Sequence, residues 1–195
     1  MSKKLIKNIG VLATPTGSYA KSGSAQGEIS IYKDAAIVCE NGEILGIYEG
    51  DTIPNGQFDE IIDAKGGYVA PGLIDLHIHG YLGKDVCDGE PESIRTIAEG
   101  IVANGVTGFL PTTMTVDMKV IRKALECLRS LKEESKTWNG TAILGCHAEG
   151  PFINAKKKGA QDERFILKPD ADFVKANEDI IKIIDMKMIN LKNKY

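Results

Sequence analysis

Short apolar runs with alternating polar residues dominate the first third of the chain. These runs cover residues 5–13, 28–33, 35–39 and 43–48. A period of two is typical of half-buried strands, and Asn41-Gly42 between the last two runs fits a two-residue hairpin turn. The pattern therefore predicts a small antiparallel β unit.

From about Tyr68 the pattern changes to apolar runs that alternate with longer segments of helical periodicity. The apolar runs are YVAPGLIDLHI, VTGFLP and TAILGCHAEG, and the helical segments that follow them cover 92–104, 117–134 and 170–184. Alternation of strands and helices indicates βαβ units around a parallel sheet. We count three βα repeats and expect the third strand to lie at an unpaired edge of the sheet.

Two histidines stand near the end of the first predicted parallel strand, in LIDLHIHG. His77 and His79 are two residues apart, so in a strand both imidazoles lie on the same face. Two neutral imidazoles near the carboxyl end of a strand suit Zn²⁺ or another first-row divalent metal. An isolated H-x-H pair, however, is more often an ordinary pair of surface or core histidines.

The third predicted strand ends in GCHAEGPF, where His147 and Glu149 again share one face. Gly150-Pro151 ends the strand directly after the carboxylate, so Glu149 could reach the centre formed by His77 and His79. The alternative is a carboxylate that caps or anchors a loop. We interpret His147 as a residue that orients its neighbours.

Two other polar groups have more than one interpretation. The run Lys156–Lys158 offers point charges for a phosphate, but a solvated loop face is the favoured interpretation. The hydroxyls of PTTMT at 111–115 could line a site or cap the next helix, and capping is favoured.

The motifs together carry a resemblance to a known family. A (β/α)₈ barrel places its catalytic residues at the C-terminal ends of several strands, where both clusters fall. The series APGLIDLHIHG, GVTGFLPTT and LGCHAEGPFINAKKKGAQD resembles that of the N-acetylglucosamine-6-phosphate deacetylases, in the amidohydrolase superfamily, and the likeness covers residues 5–184. The resemblance implies an α/β fold, namely an incomplete (β/α)₈ TIM-type barrel of about three βα units preceded by a small antiparallel β-sandwich-like domain. The implied ranges are 1–67 for the β domain, 68–184 for the first part of the barrel and 185–195 for an aberrant tail.

The resemblance also implies an activity, metal-dependent hydrolysis of the N-acetyl group of N-acetylglucosamine-6-phosphate to glucosamine-6-phosphate and acetate. Glu149 corresponds to the primary metal ligand, and His77 and His79 to the pair that can hold a second metal in those family members that carry histidines there. Ala160 and Gln161 fall where the family contacts the sugar phosphate, although the family usually has His where this chain has Gln161. The implied cofactor is a divalent metal, Zn first and Fe, Mn, Co or Ni as alternatives, and the implied assembly is a homodimer.

The family's other metal-binding histidines and its proton-transferring aspartate belong to later strands, and no histidine follows His147 here. We therefore assign no catalytic residue and expect the chain alone to have little or no deacetylase activity. Two alternatives stay open. One is another amidohydrolase of the dihydroorotase or adenine deaminase type, and the other is a non-catalytic fragment that binds metal or sugar phosphate.

Composition narrows the choice of partners. The chain has 195 residues, 43% of them hydrophobic, and a formal net charge of -3, which gives no electrostatic reason to bind nucleic acid or an anionic membrane. No apolar run has the length of a signal peptide or a membrane span, so a cytoplasmic protein is expected. The four cysteines are widely spaced and form no C-x-x-C pair, which predicts reduced, mostly packed thiols.

Overall fold

The computed structural model describes residues 2–17, 19–53 and 56–186. The chain divides into two compact units, Met1–Pro71 and Gly72–Tyr195. Most of the segment 185–195, which was predicted to be an aberrant tail, lies outside the described residues. None of the helices in the described ranges combines the length and the apolar character that crossing a lipid bilayer requires.

The first unit is built on a five-stranded mixed sheet. Its strands are β1 (Lys3–Pro15), β2 (Ile29–Glu40), β3 (Glu43–Glu49), β4 (Glu60–Asp63) and β5 (Tyr68–Val69). The order is β3-β2-β1-β4, and β5 pairs with a later part of β1. The first three strands, which the four predicted runs form, pair antiparallel as predicted. β4 and β5, which those runs do not include, pair parallel with β1, so the antiparallel arrangement does not extend over the whole predicted β domain. The sandwich-like arrangement stays a prediction.

The turn between β2 and β3 follows the sequence prediction. Asn41 and Gly42 have φ of 53° and 86°, the left-handed conformation that a two-residue type I′ hairpin turn requires. The predicted runs 28–33 and 35–39 join into the single strand β2, with Asp34 between them at a φ of 47°. A residue with positive φ locally distorts the strand without ending it.

The second unit is built on a parallel sheet. Its strands are β6 (Leu73–Ile78), β7 (Gly80–Tyr81), β8 (Lys84–Asp85), β9 (Val106–Thr113), β10 (Ala142–Ile143), β11 (Cys146–Ala148) and β12 (Ile181–Ile184). β9 lies between β6 on one side and β10 and β11 on the other, β12 pairs with β11, and all these pairings are parallel. β7 and β8 form a separate antiparallel hairpin. The mixed α/β class with a parallel sheet is thereby confirmed.

Helices pack beside the parallel sheet of the second unit. They are α1 (Pro91–Val102), α2 (Met118–Leu131) and α3 (Ala171–Ala176). α1 buries Ile94, Ile97 and Ile101, which recur at helical spacing, and full burial of each stabilises the fold by roughly 1.5–3 kcal/mol. α2 begins after Asp117, whose carboxylate accepts the backbone N–H of Lys119 at 2.7 Å.

The segment predicted as a helix over 170–184 holds two elements. The helix α3 ends at Ala176, and residues Ile181–Ile184 form β12 beside β11. The backbone N–H of Cys146 donates to the carbonyl of Ile180 at 2.7 Å, so the third predicted strand is not the edge of the sheet. The prediction failed because a short apolar run such as IIKII has no periodicity that separates strand from helix. The number of barrel units implied by the resemblance stays a prediction.

Candidate metal centre

The two histidines of the H-x-H motif lie at the carboxyl end of β6, with their Nε2 atoms 3.1 Å apart. Glu149 follows directly after β11, and its Oε2 is 2.9 Å from the Nε2 of His79 and 3.3 Å from the Nε2 of His77. β6 and β11 both pair parallel with β9, so the carboxyl ends of both strands lie at the same end of the sheet. The side chains that the sequence analysis singled out are therefore brought together.

The size of this cluster fits a coordination shell. Nitrogen and oxygen ligands at 2.0–2.2 Å from a tetrahedral Zn²⁺ lie about 3.3 Å from each other. The three distances in the cluster, 2.9, 3.1 and 3.3 Å, are on that scale. In the part of the chain that the structure describes, His77, His79 and Glu149 are the one group of three or more potential ligands whose atoms lie within 4.8 Å of one another.

Hydrogen bonding fixes which nitrogen of His79 is available. Its Nδ1 lies 3.1 Å from the backbone carbonyl of Thr112, which can only accept, so Nδ1 donates. A neutral imidazole that donates from Nδ1 presents a lone pair at Nε2, here directed at the Glu149 carboxylate. Two acceptors in contact repel each other unless a cation or a proton lies between them. A metal-binding histidine usually coordinates the metal through one ring nitrogen and donates from the other to a carbonyl or carboxylate, as His79 does here through Nδ1.

His147 supports the cluster without joining it. Its Nδ1 donates to the backbone carbonyl of Leu76 at 3.0 Å, and its ring meets the ring of His77 edge to face with centroids 4.8 Å apart. Its Nε2 is 3.3 Å from the Oδ2 of Asp185, just after β12. These contacts agree with the interpretation that His147 orients its neighbours.

Threonines in β9 and just after it have a larger role than the sequence indicated. The backbone N–H of Ile78 donates to Thr112 Oγ1 at 3.0 Å, and Thr115 Oγ1 donates to the backbone carbonyl of Glu149 at 3.1 Å. The residue that caps α2 is Asp117, so the favoured capping interpretation of PTTMT was wrong. No signal in the sequence distinguishes a threonine that bonds to a neighbouring strand from one that caps a helix.

The predicted substrate-contacting residues differ in accessibility. Ala160 is exposed, whereas Gln161 is only 4% exposed. The Oε1 of Gln161 accepts the backbone N–H of Thr115 at 2.7 Å, so this oxygen is already bonded within the protein. A direct contact from either residue to a substrate stays a prediction.

A cleft of about 400 Å³ opens beside the cluster. It is lined by Glu149, Ile153, Asn154, Lys157, Lys158, Asp185 and Met186. The ammonium group of Lys158 donates to the carbonyl of Gln161 at 2.9 Å, while Lys157 is exposed. One lysine of the run thus holds the loop, and its neighbour faces solvent as the favoured interpretation expects.

The cysteines near the sheet are protonated thiols in the metal-free chain. All four are free, as predicted, and Cys146 is fully buried in β11. Burial raises the pKa of the Cys146 thiol to about 12 and that of the Cys87 thiol to about 11. Both side chains therefore stay neutral near pH 7 in the metal-free chain, and the group of potential ligands among the described residues, His77, His79 and Glu149, includes no cysteine.

The amino-acid sequence is similar to those of known proteins over most of its length. The chain is 34% identical over 175 residues to the N-acetylglucosamine-6-phosphate deacetylase of Bacillus subtilis, a match that covers 82% of this chain and 44% of that protein. It is 38% identical over 135 residues to the enzyme of the same name from Vibrio furnissii, over 66% of this chain and 31% of that protein. The chain is related to the N-acetylglucosamine-6-phosphate deacetylases. The resemblance carried by the motif series is thereby confirmed.

The fold agrees with this relationship. The crystal structure of the deacetylase from Pasteurella multocida superposes with a TM-score of 0.75 at 24% identity, over 94% of this chain and 44% of that one. At this identity the likeness concerns the fold alone. No protein-family model matches the chain. The chain spans less than half the length of the curated deacetylases that it matches.

Proposed function

We propose that this chain supplies part of the metal centre of an N-acetylglucosamine-6-phosphate deacetylase, which hydrolyses the N-acetyl group to give acetate and glucosamine-6-phosphate. The observation that carries the proposal is the approach of His77, His79 and Glu149, whose ligand atoms lie within 4.8 Å of one another at the carboxyl ends of two parallel strands. The relatives with this name support the choice of reaction and substrate.

The donor set supports a divalent metal, with Zn²⁺ as our first choice and Fe, Mn, Co or Ni as alternatives. Two imidazole nitrogens and one carboxylate oxygen leave at least one coordination position open, as in catalytic zinc sites. A divalent ion held there would polarise a carbonyl oxygen and make water more acidic. The chain's own contribution is to present the ligands, since the Thr112 carbonyl fixes the tautomer of His79 and His147 packs against His77.

The cleft beside Glu149 is our candidate position for the sugar phosphate. Its volume of about 400 Å³ is within the range of small-molecule sites, and Lys157 and Lys158 place positive charge on its wall. Ala160 is exposed on the same loop and is the residue that we propose contacts the substrate through its backbone. Gln161 stays a candidate through its amide N–H groups, because its oxygen is bonded to Thr115.

We propose that the strands β6, β9, β11 and β12 belong to a (β/α)₈ barrel, which the family fold implies. Leu73, Ile74 and Leu76 on β6 are 63%, 60% and 53% exposed, and among the described residues of the second unit β6 pairs with β9 alone, which leaves an open edge in this part of the sheet. A chain with such an edge is expected to self-associate or to aggregate. Size-exclusion chromatography with light scattering tests this expectation, and a stable monomer at high concentration would contradict it.

Metal binding and turnover test the proposal in separate steps. We expect the purified, metal-free chain to bind Zn²⁺ and to unfold cooperatively at a higher temperature once Zn²⁺ is added, because a ligand of the native state stabilises it. The His77→Ala/His79→Ala double variant should lose this shift, and Glu126→Gln, which changes an exposed glutamate of α2, should keep it. A Zn²⁺-independent unfolding temperature in the wild-type chain would contradict the metal centre.

Turnover distinguishes the enzyme from a non-catalytic metal-binding fragment. No described residue has been assigned to proton transfer, so we expect little or no acetate release from N-acetylglucosamine-6-phosphate by the isolated chain. Robust turnover by a homogeneous sample would contradict this expectation. Turnover of a different amide, such as dihydroorotate, would favour another amidohydrolase instead.

A further inference from the structure

We infer that Thr115 and Gln161 act as a pair of positioning residues that set the backbone conformation at Glu149 and thereby its affinity for metal. The inference rests on the proposed function, because Glu149 is taken as a metal ligand. The side chain of Thr115 bonds to the backbone carbonyl of Glu149, and the side chain of Gln161 bonds to the backbone N–H of Thr115. Both residues therefore act on the carboxylate through the backbone.

The first contact joins Thr115 to Glu149. Thr115 is 1% exposed, and its hydroxyl donates to the backbone carbonyl of Glu149 at 3.1 Å. Gly150, the next residue, has a φ of 92°, and a Cβ placed there would lie only 2.0 Å from Thr115 Oγ1. Glycine at this position therefore allows the hydroxyl to approach the peptide group directly after the carboxylate-bearing residue.

Beyond the end of the ladder between β11 and β9, the hydroxyl of Thr115 provides the backbone hydrogen bond that strand pairing no longer provides. The ladder between β11 and β9 stops at the pair of Ala148 with Thr113, one residue before Glu149. Beyond that pair the backbone carbonyl of Glu149 is held by Thr115. A ligand placed just past a strand end needs such a contact, because small backbone rotations there move the carboxylate relative to the two imidazoles.

The second contact holds Thr115 in turn. Gln161 accepts the Thr115 backbone N–H at 2.7 Å through a side chain that is 4% exposed. Gln161 is itself held, because its N–H donates to the carbonyl of Lys158 at 3.0 Å and its carbonyl accepts from the Lys158 ammonium group at 2.9 Å. The loop after β11 thus folds back and fixes the segment after β9. Loss of a partner in a buried pair leaves a polar group unsatisfied, so these contacts are sensitive to substitution.

Substitution of the threonine tests the first contact. Thr115→Val removes the hydroxyl at nearly constant volume, and we expect it to weaken Zn²⁺ affinity about tenfold or more, the range observed for groups that orient metal ligands. Thr115→Ser retains the hydroxyl and should restore the affinity to within about twofold of wild type. The matched control is Thr113→Val, which removes a buried hydroxyl that has no hydrogen-bond partner among the residues that the structure describes. Affinity is measured by competition with a chelator, using the full chain.

Substitution of the glutamine tests the second contact. Gln161→Met removes the acceptor of the Thr115 N–H and should also weaken Zn²⁺ binding, whereas Gln161→Glu keeps an acceptor oxygen and should bind more tightly than the Met variant. The absorption spectrum of bound Co²⁺ reports ligand geometry, so Thr115→Val should change it and Thr113→Val should not. Thermal unfolding of the metal-free variants identifies any that have lost the fold. Thr115→Ser and Gln161→Glu are the more conservative changes, so at each position the Zn²⁺ affinity of a folded variant can still be compared with that of the wild-type chain.

The outcomes separate the two proposals. A wild-type chain that binds no Zn²⁺ would overturn the proposed metal centre. A wild-type chain that binds Zn²⁺, together with folded Thr115→Val and Gln161→Met variants of unchanged affinity and Co²⁺ spectrum, would overturn the inference alone. Equal losses in Thr115→Val and Thr113→Val would also overturn it, because the effect would then come from the packing of any threonine in this segment.

Discussion

The side chain of His147 in β11 donates to the backbone carbonyl of Leu76 in β6 at 3.0 Å, although β9 lies between the two strands. In a flat sheet, strands that are two positions apart are separated by about 9.6 Å, which is farther than an imidazole reaches. The sheet must therefore curve toward this face. The curvature explains how His77 and Glu149 meet at one centre, and it supports the proposal of a barrel.

The first prediction concerns the charge of Glu149. In the metal-free chain its carboxylate faces the lone pair of His79 Nε2 at 2.9 Å, whereas the amide of Glu149→Gln can donate to that nitrogen. At pH 8 we expect this variant to raise the free energy of unfolding of the metal-free chain by about 1 kcal/mol and to weaken Zn²⁺ binding more than about 100-fold. Chemical denaturation with and without Zn²⁺ measures both effects, and a metal-free variant less stable than wild type would contradict the prediction.

The second prediction compares two adjacent buried threonines of β9. Thr112 Oγ1 accepts the N–H of Ile78 and donates to the carbonyl of Leu110, each at 3.0 Å. Thr112→Val should therefore lower the free energy of unfolding by about 1–3 kcal/mol, because the Ile78 N–H loses its partner. Thr113→Val removes a hydroxyl that makes no hydrogen bond within the described part of the chain, and it should be neutral or stabilising in denaturant melts. Equal effects of the two substitutions would contradict this account.

The third prediction is a pH dependence at Asp88. The backbone N–H of Asp85 and the hydroxyl of Ser93 both donate to Oδ2 of Asp88, and these bonds lower the pKa of its carboxyl below 3.8. A lowered pKa in the folded state means that the carboxylate stabilises the fold above pH 3.8 and that this effect is lost as the pH falls through the folded-state pKa. Asp88→Asn should thus be less stable than wild type at pH 6, with a difference that shrinks on acidification. Thermal melts across pH 2–6 measure it, and a pH-independent difference would rule out the carboxylate as the cause.

The fourth prediction concerns thiol reactivity. Burial raises the pKa of Cys146 to about 12 and of Cys87 to about 11, and it also raises the pKa of Cys127. Less than about 1% of the Cys87 thiol is thiolate at pH 8, so alkylation by iodoacetamide should be slow in the native chain. In urea the burial is lost and all four cysteines should react rapidly. Peptide mass spectrometry gives the rate at each site, and rapid native labelling of Cys146 would contradict the packing of β11.

Structural features that depend on residues close in sequence could be predicted from the sequence alone. The spacing of His77 and His79 places both rings on one strand face, Asn41-Gly42 forms the hairpin turn, and Asp117 begins α2. Each depends on backbone geometry over a few residues, which periodicity and side-chain type reflect directly. The motif series was long enough to indicate the deacetylase relationship as well.

Features that join distant segments emerged only from the folded chain. The run at Ile181–Ile184 becomes a strand because β11 offers unpaired backbone groups beside it, and β4 pairs parallel with β1 for a similar reason. Thr115 and Gln161 acquire their roles through hydrogen bonds to residues far away in sequence. A polar side chain can bond to whatever partner the fold brings near, so its local sequence pattern does not specify that partner, and only the tertiary structure does.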